Sequence, residues 1–453
     1  MESQLNHLGD AGDSSIVGSS ASLVSKGIHY LTINNALTPI INIVRDGICG
    51  MFSKIQIGTL KVVFSDGEYR VYGTPNTGYD VTLTIIKDQF WMRVAIYSDL
   101  GFAEAYMNSE CEVTNRTELL QLLNQNRKFI EGSKTFTRKI MMGLNYFINT
   151  KFANSISNSI NNISAHYDLG NDMFQLFLDP SMTYSCPIWD VNDPDDDLHK
   201  AQLRKLHNVI KKAKIVESDH VLEIGSGWGS FAMEAVKLTG CRVTTLTLSI
   251  EQKALADRRI REAGLSDRIT VKFCDYRNLN TDFKFDKIVS IEMIEAVGKE
   301  YLDTYFETCH NLLKEDGGLM VLQAITIHEN RYDRYSNQVD FIQKYIFPGG
   351  HLPSITMLIS SIHSGTKGML ITNNLEDIGA HYAKALRLWC ENFTASYPLI
   401  SKGNPEKYNT VFKRCWQYYF NYCETGFREH LLGTVQIVLT RPKNKAVVEG
   451  VPL

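Results

Sequence analysis

Two rhythms of apolar and polar positions alternate along the second half of this chain. Short, almost continuous apolar runs are of strand length: HVLEIGSG from His220, RVTTLTLS from Arg242, ITVKFCDY from Ile269, FDKIVSIEM from Phe285 and LMVLQAITI from Leu319. Between them, LRKLHNVIKKAKI, GSFAMEAVKLTG (ending at Gly240) and IEQKALADRRIREAGL (with a glycine stop) have helical spacing. Alternation of this kind predicts a mostly parallel α/β sheet with helices on both faces. The first part of the chain follows a period of two, from about Ile28 to Leu123. There GTLKVVFSDGEYRVYG reads as two strands joined by Ser65-Asp66-Gly67, a hairpin signal. YDVTLTIIKDQFWMRVAIYSD reads as a further strand with its own turn, and RTELLQLLNQNRKFI as a helix. A smaller, mostly antiparallel α+β domain is expected there. From about Arg138 to Asp197 the text is polar, then aromatic-rich, then acidic, which suggests a linker running into helices that cover a cofactor. The expected boundaries are a lead-in at 1–27, the α+β domain at 28–135, a linker at 136–160 and the larger α/β domain at 161–453.

Composition narrows the class without changing this picture. The chain has 453 residues, is 44% hydrophobic and 21% charged, and carries a formal net charge of -3. That fits a globular enzyme and gives no reason to expect nucleic acid. No apolar run reaches the ~18–20 residues of a membrane span. The N-terminus lacks the basic start and apolar core of a secretory signal. Nine scattered cysteines without CxxC pairs predict reduced thiols and no metal site. A cytoplasmic enzyme, peripheral to a membrane, is the expectation.

The chemistry starts at VLEIGSGWGSF. A strand, a glycine turn and a helix place backbone N–H groups at the carboxyl edge of the sheet, where ligands bind. A dinucleotide site would space its glycines G-x-G-x-x-G. Here Gly225, Gly227 and Gly229 alternate with Ser226 and Trp228, and Glu223 precedes them. A carboxylate there repels pyrophosphate and suits a ligand with an ammonium and no phosphate. S-adenosylmethionine is such a ligand, and NAD is disfavoured. Further on, Gln252 can bond ribose hydroxyls as donor and acceptor, while Glu251 reads equally as a first-turn helix acid. Asp275 and Tyr276, after the third strand, are placed to hold the edge and face of an adenine.

At this point several motifs become recognisable together. HYDLGNDMFQLFLDPSMTYSCPIW, VLEIGSGWGSFA, TLTLSIEQ, IEMIEAVGKEYLDTYF and YIFPGGHLP resemble the cyclopropane-fatty-acyl-phospholipid synthases and the related mycolic acid methyltransferases. The resemblance runs from about Gly58 to the C-terminus. It includes GFAEAYM, similar to the lipid-binding domain of the longer bacterial enzymes. It implies a Rossmann-like class I methyltransferase domain behind that lipid-binding domain. It also implies methyl transfer from S-adenosylmethionine to the cis double bond of an acyl chain through a carbocation. By resemblance Tyr184 and Ser185 lie over the cofactor, and the Glu223–Phe231 loop holds its methionine part. The segment Thr247, Leu248, Ser249 to Gln252 takes the ribose, and Tyr276 with Arg277 lies by the adenine.

A carbocation demands a dry pocket and electron-rich faces. Tyr167, Phe174, Phe177, Tyr184, Trp189, Tyr335, Phe341, Tyr345 and Phe347 supply aromatics, most of them read as core and a few as tunnel lining. In the resembled family a bound bicarbonate removes the proton. Four of its five holding positions are matched, by Cys186, Glu295, Ile325 and Tyr382; the fifth, a histidine, is Gln323 here. Glutamine donates a hydrogen bond but cannot shuttle a proton at neutral pH. Cys423 matches a cysteine once regarded as a nucleophile, though a buried helix cysteine is the better reading. His166 either orients the covering helix or partners a helix cap.

The expected product is a cyclopropane acyl chain, with a methyl or methylene branch as the alternative and an inactive lipid-binding protein as the rival class. The substrate implies contact with a membrane. The basic helix His199–Ile215 reads first as sheet packing and second as a surface helix, and Ile33–Phe52 is apolar enough to insert shallowly or to cover a tunnel. Many members of the resembled family dimerise, so a homodimer is a further expectation.

Overall fold

The structure is a computed structural model that describes residues 38–131, 170–280 and 282–448. The lead-in, the 136–160 linker, His166 and Tyr167 lie outside the described residues.

A helix at 38–52 opens the described chain. A four-stranded sheet follows, built from β1 (Gly58–Val63), β2 (Tyr69–Thr74), β3 (Asp80–Ile85) and β4 (Cys111–Val113) in the order β2-β1-β3-β4. The β1–β2 and β3–β4 pairs are antiparallel and β1–β3 is parallel. The Asp66-Gly67 turn joins β1 to β2 as expected, with Gly67 at φ 89°.

The expected strand through residues 79–99 ends early. Its first half is β3, rich in Val and Thr, but Gln89–Met107 is a helix broken at Ser98, where φ is 54°. Tertiary packing decides this against local pattern. Phe102 and Tyr106 of that helix face Tyr418, at ring distances of 6.2 and 6.1 Å. A Cβ on Gly101 would stand 2.1 Å from the Arg93 carbonyl, so only glycine allows the chain to fold back past the break. The segment RTELLQLLNQ is helical at Arg116–Gln125, capped by the Asn115 side chain. The apolar stretch at 38–52 buries Val44, Ile48 and Cys49 in the core, and leaves Ile43 exposed.

The second sheet has seven strands. Five are β5 (His220–Ile224), β6 (Arg242–Thr247), β7 (Ile269–Phe273), β8 (Lys287–Ile291) and β9 (Leu319–Ile327), all parallel to one another. Two more, β10 (Ile371–Asp377) and β11 (Leu432–Thr440), complete the order β10-β11-β9-β8-β5-β6-β7. β11 runs antiparallel to both its neighbours. Helices flank both faces, and β5 sits between β6 and β8, where the strand order reverses.

Helix Leu198–Lys212 buries Leu206, Val209 and Ile210 against the sheet. Its Lys205 is fully buried as well, so the apolar face of this helix is taken up by the sheet. Two long C-terminal helices, Tyr382–Gly403 and Thr410–Arg428, pack on each other and carry the largest aromatic cluster. The second also grips the N-terminal sheet. Arg414 donates to the carbonyls of Tyr106 (2.5 Å) and Cys111 (2.8 Å) and pairs with Glu112. Among the described residues no helix is long and apolar enough to cross a membrane.

Candidate active site

At the end of β5 the chain turns through Gly225, Gly227 and Gly229, with φ of 97°, 48° and 85°. These are left-handed values that side-chain-bearing residues rarely adopt. A Cβ on Gly225 would lie 3.0 Å from the Cβ of Met293, while nothing stands within 4 Å of the corresponding point on Gly227. The Leu246 carbonyl accepts from the amides of Gly225 (3.1 Å) and Ser226 (2.8 Å), which ties the loop to β6. Gly229 then opens the helix Ser230–Thr239. Trp228 is fixed by its indole N–H on Asn171 Oδ1 (2.7 Å). Glu223 is buried just beneath, with one carboxylate oxygen unpartnered. Burial pushes its pKa up to about 8. An orphaned buried carboxylate beside an open, side-chain-free cradle fits the ammonium end of S-adenosylmethionine, whose charge would lower that pKa again.

The ribose and adenine positions are also brought to this edge. Thr247 Oγ1 donates to Gln252 Oε1 at 2.9 Å, which leaves the Gln252 amide nitrogen available, and Ser249 caps the helix Ile250–Glu262. Leu248 is 67% exposed, and its side chain offers no polar group. Glu251 stands in the first turn of that helix and accepts from the Ser249 hydroxyl at 3.0 Å. Asp275 is held by Arg277 in a two-pronged contact (3.0 and 2.6 Å), which keeps its carboxyl below the usual range. Tyr276 stands edge-on to Tyr305 at 5.3 Å.

Next to this cradle lies a buried acid pair. Met293, which touches Gly225, separates Glu292 from the short helical turn Ile294–Ala296 that contains Glu295. Glu292 has φ of 48°, a strained value for a non-glycine residue. Its Oε1 accepts from the Cys186 amide (2.8 Å) and from Gln323 Nε2 (2.7 Å), and its Oε2 accepts from the Tyr382 hydroxyl (2.8 Å). Burial raises the Glu292 pKa, and these donors together with nearby Lys205 oppose that rise. Glu295 accepts from the Ile325 amide at 2.5 Å, but its other oxygen is buried without a partner. Burial, reinforced by the Glu292 charge, pushes its pKa up to about 8. Both acids are desolvated, but Glu292 accepts from three donors and Glu295 from one, so the ionised form is better supported at Glu292. Two acids with environments this different are suited to different roles.

Four of the five expected anion-holding positions therefore meet here, but the anion they hold is a side chain. Tyr382 and Gln323 bond Glu292, and Ile325 bonds Glu295. The Cys186 thiol points away, toward the Pro187 and Ile378 carbonyls (3.5 Å each), and burial raises its pKa well above the thiol range. Only its backbone amide serves the site. With Glu292 and Glu295 filling these donors, bicarbonate does not fit the arrangement. Cys423 is packed on the aromatic core, and burial raises its pKa above the ordinary thiol value, the setting of a buried helix cysteine.

Tyr184 hydrogen-bonds Tyr419 (2.6 Å) and stands among Phe174, Phe177 and Trp389. Ser185 does not project into the cofactor cradle; its hydroxyl accepts from Lys205 Nζ at 2.6 Å. Lys205 is fully buried, and desolvation lowers its pKa to about 8. Of the expected aromatics, Phe174, Phe177, Tyr184, Trp189 and Phe341 belong to the core or pack on it, Tyr345 bonds Glu104, and Phe347 is 44% exposed. Tyr335 stands over His351, with ring centres 5.7 Å apart. Sequence reasoning missed Glu292, Lys205, Trp389, Trp416, Tyr419 and Phe427. For Glu292 a signal existed, since IEMIE sets two acids three residues apart just after a buried strand.

The strand order, the glycine cradle and the buried acid below it define a class I methyltransferase that uses S-adenosylmethionine. The chain belongs to the mycolic acid cyclopropane synthetase family, which it matches over residues 154–437. It is 34% identical over 395 residues to tuberculostearic acid methyltransferase UfaA1 of Mycobacterium tuberculosis, covering 84% of this chain and 88% of that one. It is 36% identical over 276 residues to the cyclopropane-fatty-acyl-phospholipid synthase of Escherichia coli K12, covering 61% of this chain and 66% of that one. Among solved structures, mycolic acid cyclopropane synthase CmaA1 complexed with SAH and CTAB superposes with a TM-score of 0.55 at 30% identity. That superposition covers 62% of this chain and 97% of the other.

Proposed function

We propose that this protein methylates the cis double bond of an unsaturated phospholipid acyl chain, with Glu292 as the proton acceptor. The carrying observation is the buried Glu292 carboxylate, held by Cys186 N, Gln323 and Tyr382 beside Met293, whose side chain lies against Gly225 of the cofactor loop. When bound, S-adenosylmethionine supplies an electrophilic methyl group. The alkene π pair takes that methyl, and the cation develops on the neighbouring carbon. Aromatic faces such as Tyr184 and Tyr382 stabilise a cation without reacting with it, and burial excludes water. Glu292 then takes one proton. The electron pair of the broken C–H bond closes the ring if the proton leaves the new methyl group. Because Glu292 shares the donors that the resemblance assigns to an external anion, ring closure is the first reading. A methyl or methylene branch is the second, supported by the 84% coverage of this chain by a relative named for tuberculostearic acid.

Expression in a host without such an enzyme, followed by lipid mass spectrometry and proton NMR, tests the reading. A gain of CH2 with upfield ring protons means cyclopropane; vinylic methylene protons mean a branch. A folded protein that binds the cofactor and leaves every acyl chain unchanged would favour the rival, a lipid-binding protein without activity. Access to a lipid substrate would place the enzyme at a membrane surface.

A further inference from the structure

Gln323 stands in a row of side chains that crosses four strands. The register pairs Glu376 of β10 with Gln436 of β11, Gln436 with Gln323 of β9, and Gln323 with Ile291, the residue before Glu292. Residues directly opposite one another share a face of the sheet. Helix Leu198–Lys212 lies over that face and contributes Asn208 and Lys212, one turn apart.

The hydrogen bonds run in one direction. Lys212 Nζ donates to Gln436 Oε1 at 2.7 Å, and Asn208 Nδ2 donates to the same oxygen at 2.9 Å. Gln436 Nε2 donates to Gln323 Oε1 at 2.9 Å, and Gln323 Nε2 donates to Glu292 Oε1 at 2.7 Å. An ammonium has donors only and a carboxylate acceptors only, so the two ends fix the orientation of both amides between them. Gln323 and Gln436 are both 0% exposed. A reversed amide would set unpaired acceptors face to face where no water can intervene. Lys212 also pairs with Glu376 and lines an open groove of about 580 Å³, so the outer end of the row meets solvent.

We propose that Lys212, Gln436 and Gln323 form a polarised relay that positions and supports the Glu292 carboxylate from the protein surface. Lys212 and Gln436 are positioning residues: Gln323 stands between Gln436 and Glu292, and Gln436 and Gln323 between Lys212 and Glu292. The inference rests on the reading of Glu292 as proton acceptor. It also accounts for glutamine at 323: a side chain that accepts from one neighbour and donates to the next continues the row, and its orientation is set from outside. The other groups around Glu292 are Tyr184 and Cys186 on the segment before helix Leu198–Lys212, Lys205 on that helix, Glu295 on its own turn, and Tyr382 and Tyr419 on the C-terminal helices. Of these, Lys205 supplies a second positive charge, so loss of the relay weakens Glu292 without stranding it.

The test uses the full chain with S-adenosylmethionine and vesicles of an unsaturated phosphatidylglycerol and phosphatidylethanolamine. The pH dependence of kcat is followed for wild type, Gln436→Glu, Lys212→Met, Lys212→Arg and Glu292→Gln. Gln436→Glu conserves volume and improves the partner of Lys212, but it can no longer donate inward. It should lower kcat at neutral pH about tenfold and move the rising limb of the profile about one pH unit upward, since tenfold corresponds to one pKa unit. Lys212→Met should shift the limb in the same direction, and Lys212→Arg should stay near wild type. Cofactor affinity by calorimetry should be unchanged in all. If Glu292→Gln is inactive while Gln436→Glu and Lys212→Met keep the wild-type profile, the relay is overturned and the base reading stands. A lower kcat without any shift of the limb likewise overturns it, as a purely structural effect. If Glu292→Gln turns over normally, the base reading itself is lost.

Discussion

The Tyr382 hydroxyl donates to Oε2 of Glu292 at 2.8 Å, from the first turn of the helix Tyr382–Gly403 to the end of β8. A hydrogen bond to a buried charge is worth about 1.5–3 kcal/mol. Tyr382→Phe should therefore lower kcat about 10- to 100-fold while leaving cofactor affinity intact. Loss of a donor also raises the Glu292 pKa, so activity should need a higher pH. Steady-state kinetics between pH 6 and about 9, the range spanned by such shifted carboxylates, checks both effects. A variant equal to wild type would remove Tyr382 from the site.

Glu292 occupies a left-handed position that glycine adopts freely. Glu292→Gly should relieve strain of about 1–3 kcal/mol and leave Cys186 N, Gln323 and Tyr382 facing an empty, anion-sized space. The variant should fold, bind S-adenosylmethionine and be nearly inactive. Added bicarbonate or formate should restore part of its activity, and chloride should not. Absence of any rescue, in a variant that melts like wild type, would count against a general base at this point.

Glu295 makes a prediction about stability. Its folded-state pKa is raised to about 8 by burial, against an ordinary value near 4.5. Between those values the folded protein retains a proton that the unfolded chain releases. Stability contributed by this group therefore falls as pH rises from about 5 to 8. Lys205 acts in the opposite sense and at higher pH, since its lowered pKa of about 8 lets stability recover as pH climbs above that value. Glu295→Gln should flatten the decline of the melting temperature between pH 5 and 8, the window set by the ordinary and raised carboxyl values. Thermal melts of wild type and variant in matched buffers measure it.

Gly225→Ala should weaken S-adenosylmethionine binding about tenfold or more. A Cβ there meets Met293 at 3.0 Å, and the φ of 97° strains any alanine. Gly227→Ala has room for the methyl group, so its cost should come from backbone strain alone. Calorimetric titration of both variants separates the two effects.

Arg414→Ala should destabilise the whole protein by about 2 kcal/mol or more, because it removes the charged donor to the buried Cys111 carbonyl and the partner of Glu112, while the Tyr106 carbonyl keeps only the Ser109 amide. Denaturant unfolding followed by near-ultraviolet dichroism should show a lower midpoint. A second, earlier transition would mean that the N-terminal sheet has come loose from the C-terminal helix.

The parallel half of the fold was legible because its strands are buried on both faces and its helices end on glycines such as Gly240 and Gly264. The cofactor loop was legible for the same reason that it functions: Gly225, Gly227 and Gly229 leave no doubt about backbone freedom. Gln89–Met107 was misread because Phe90, Trp91 and Met92 look like strand residues until the helix Thr410–Arg428 is set beside them. That partner lies some 300 positions away, beyond any local pattern. β10 is exposed at every position and carries no apolar rhythm, which hides it; β11 is apolar and buried but carries no motif beside it to mark it. In the site, Gln323 was recognised as a departure, but its meaning lay in Glu292 and Gln436. The spacing in IEMIE hints at Glu292, but its pairing with Gln323, and that of Gln323 with Gln436, come only from strand register, which no one-dimensional spacing encodes.

The grip of Arg414 on the first sheet also sets an order of events during synthesis. The sheet β1–β4 is complete by Val113, and the helix that covers its flank begins at Thr410. At ~5–20 residues per second the gap of roughly 300 residues lasts about 15–60 s. Through that interval Tyr106 and its neighbours wait uncovered on the ribosome. The helix that covers the first sheet is made roughly 300 residues after that sheet, so a chain that stops before residue 410 leaves it uncovered.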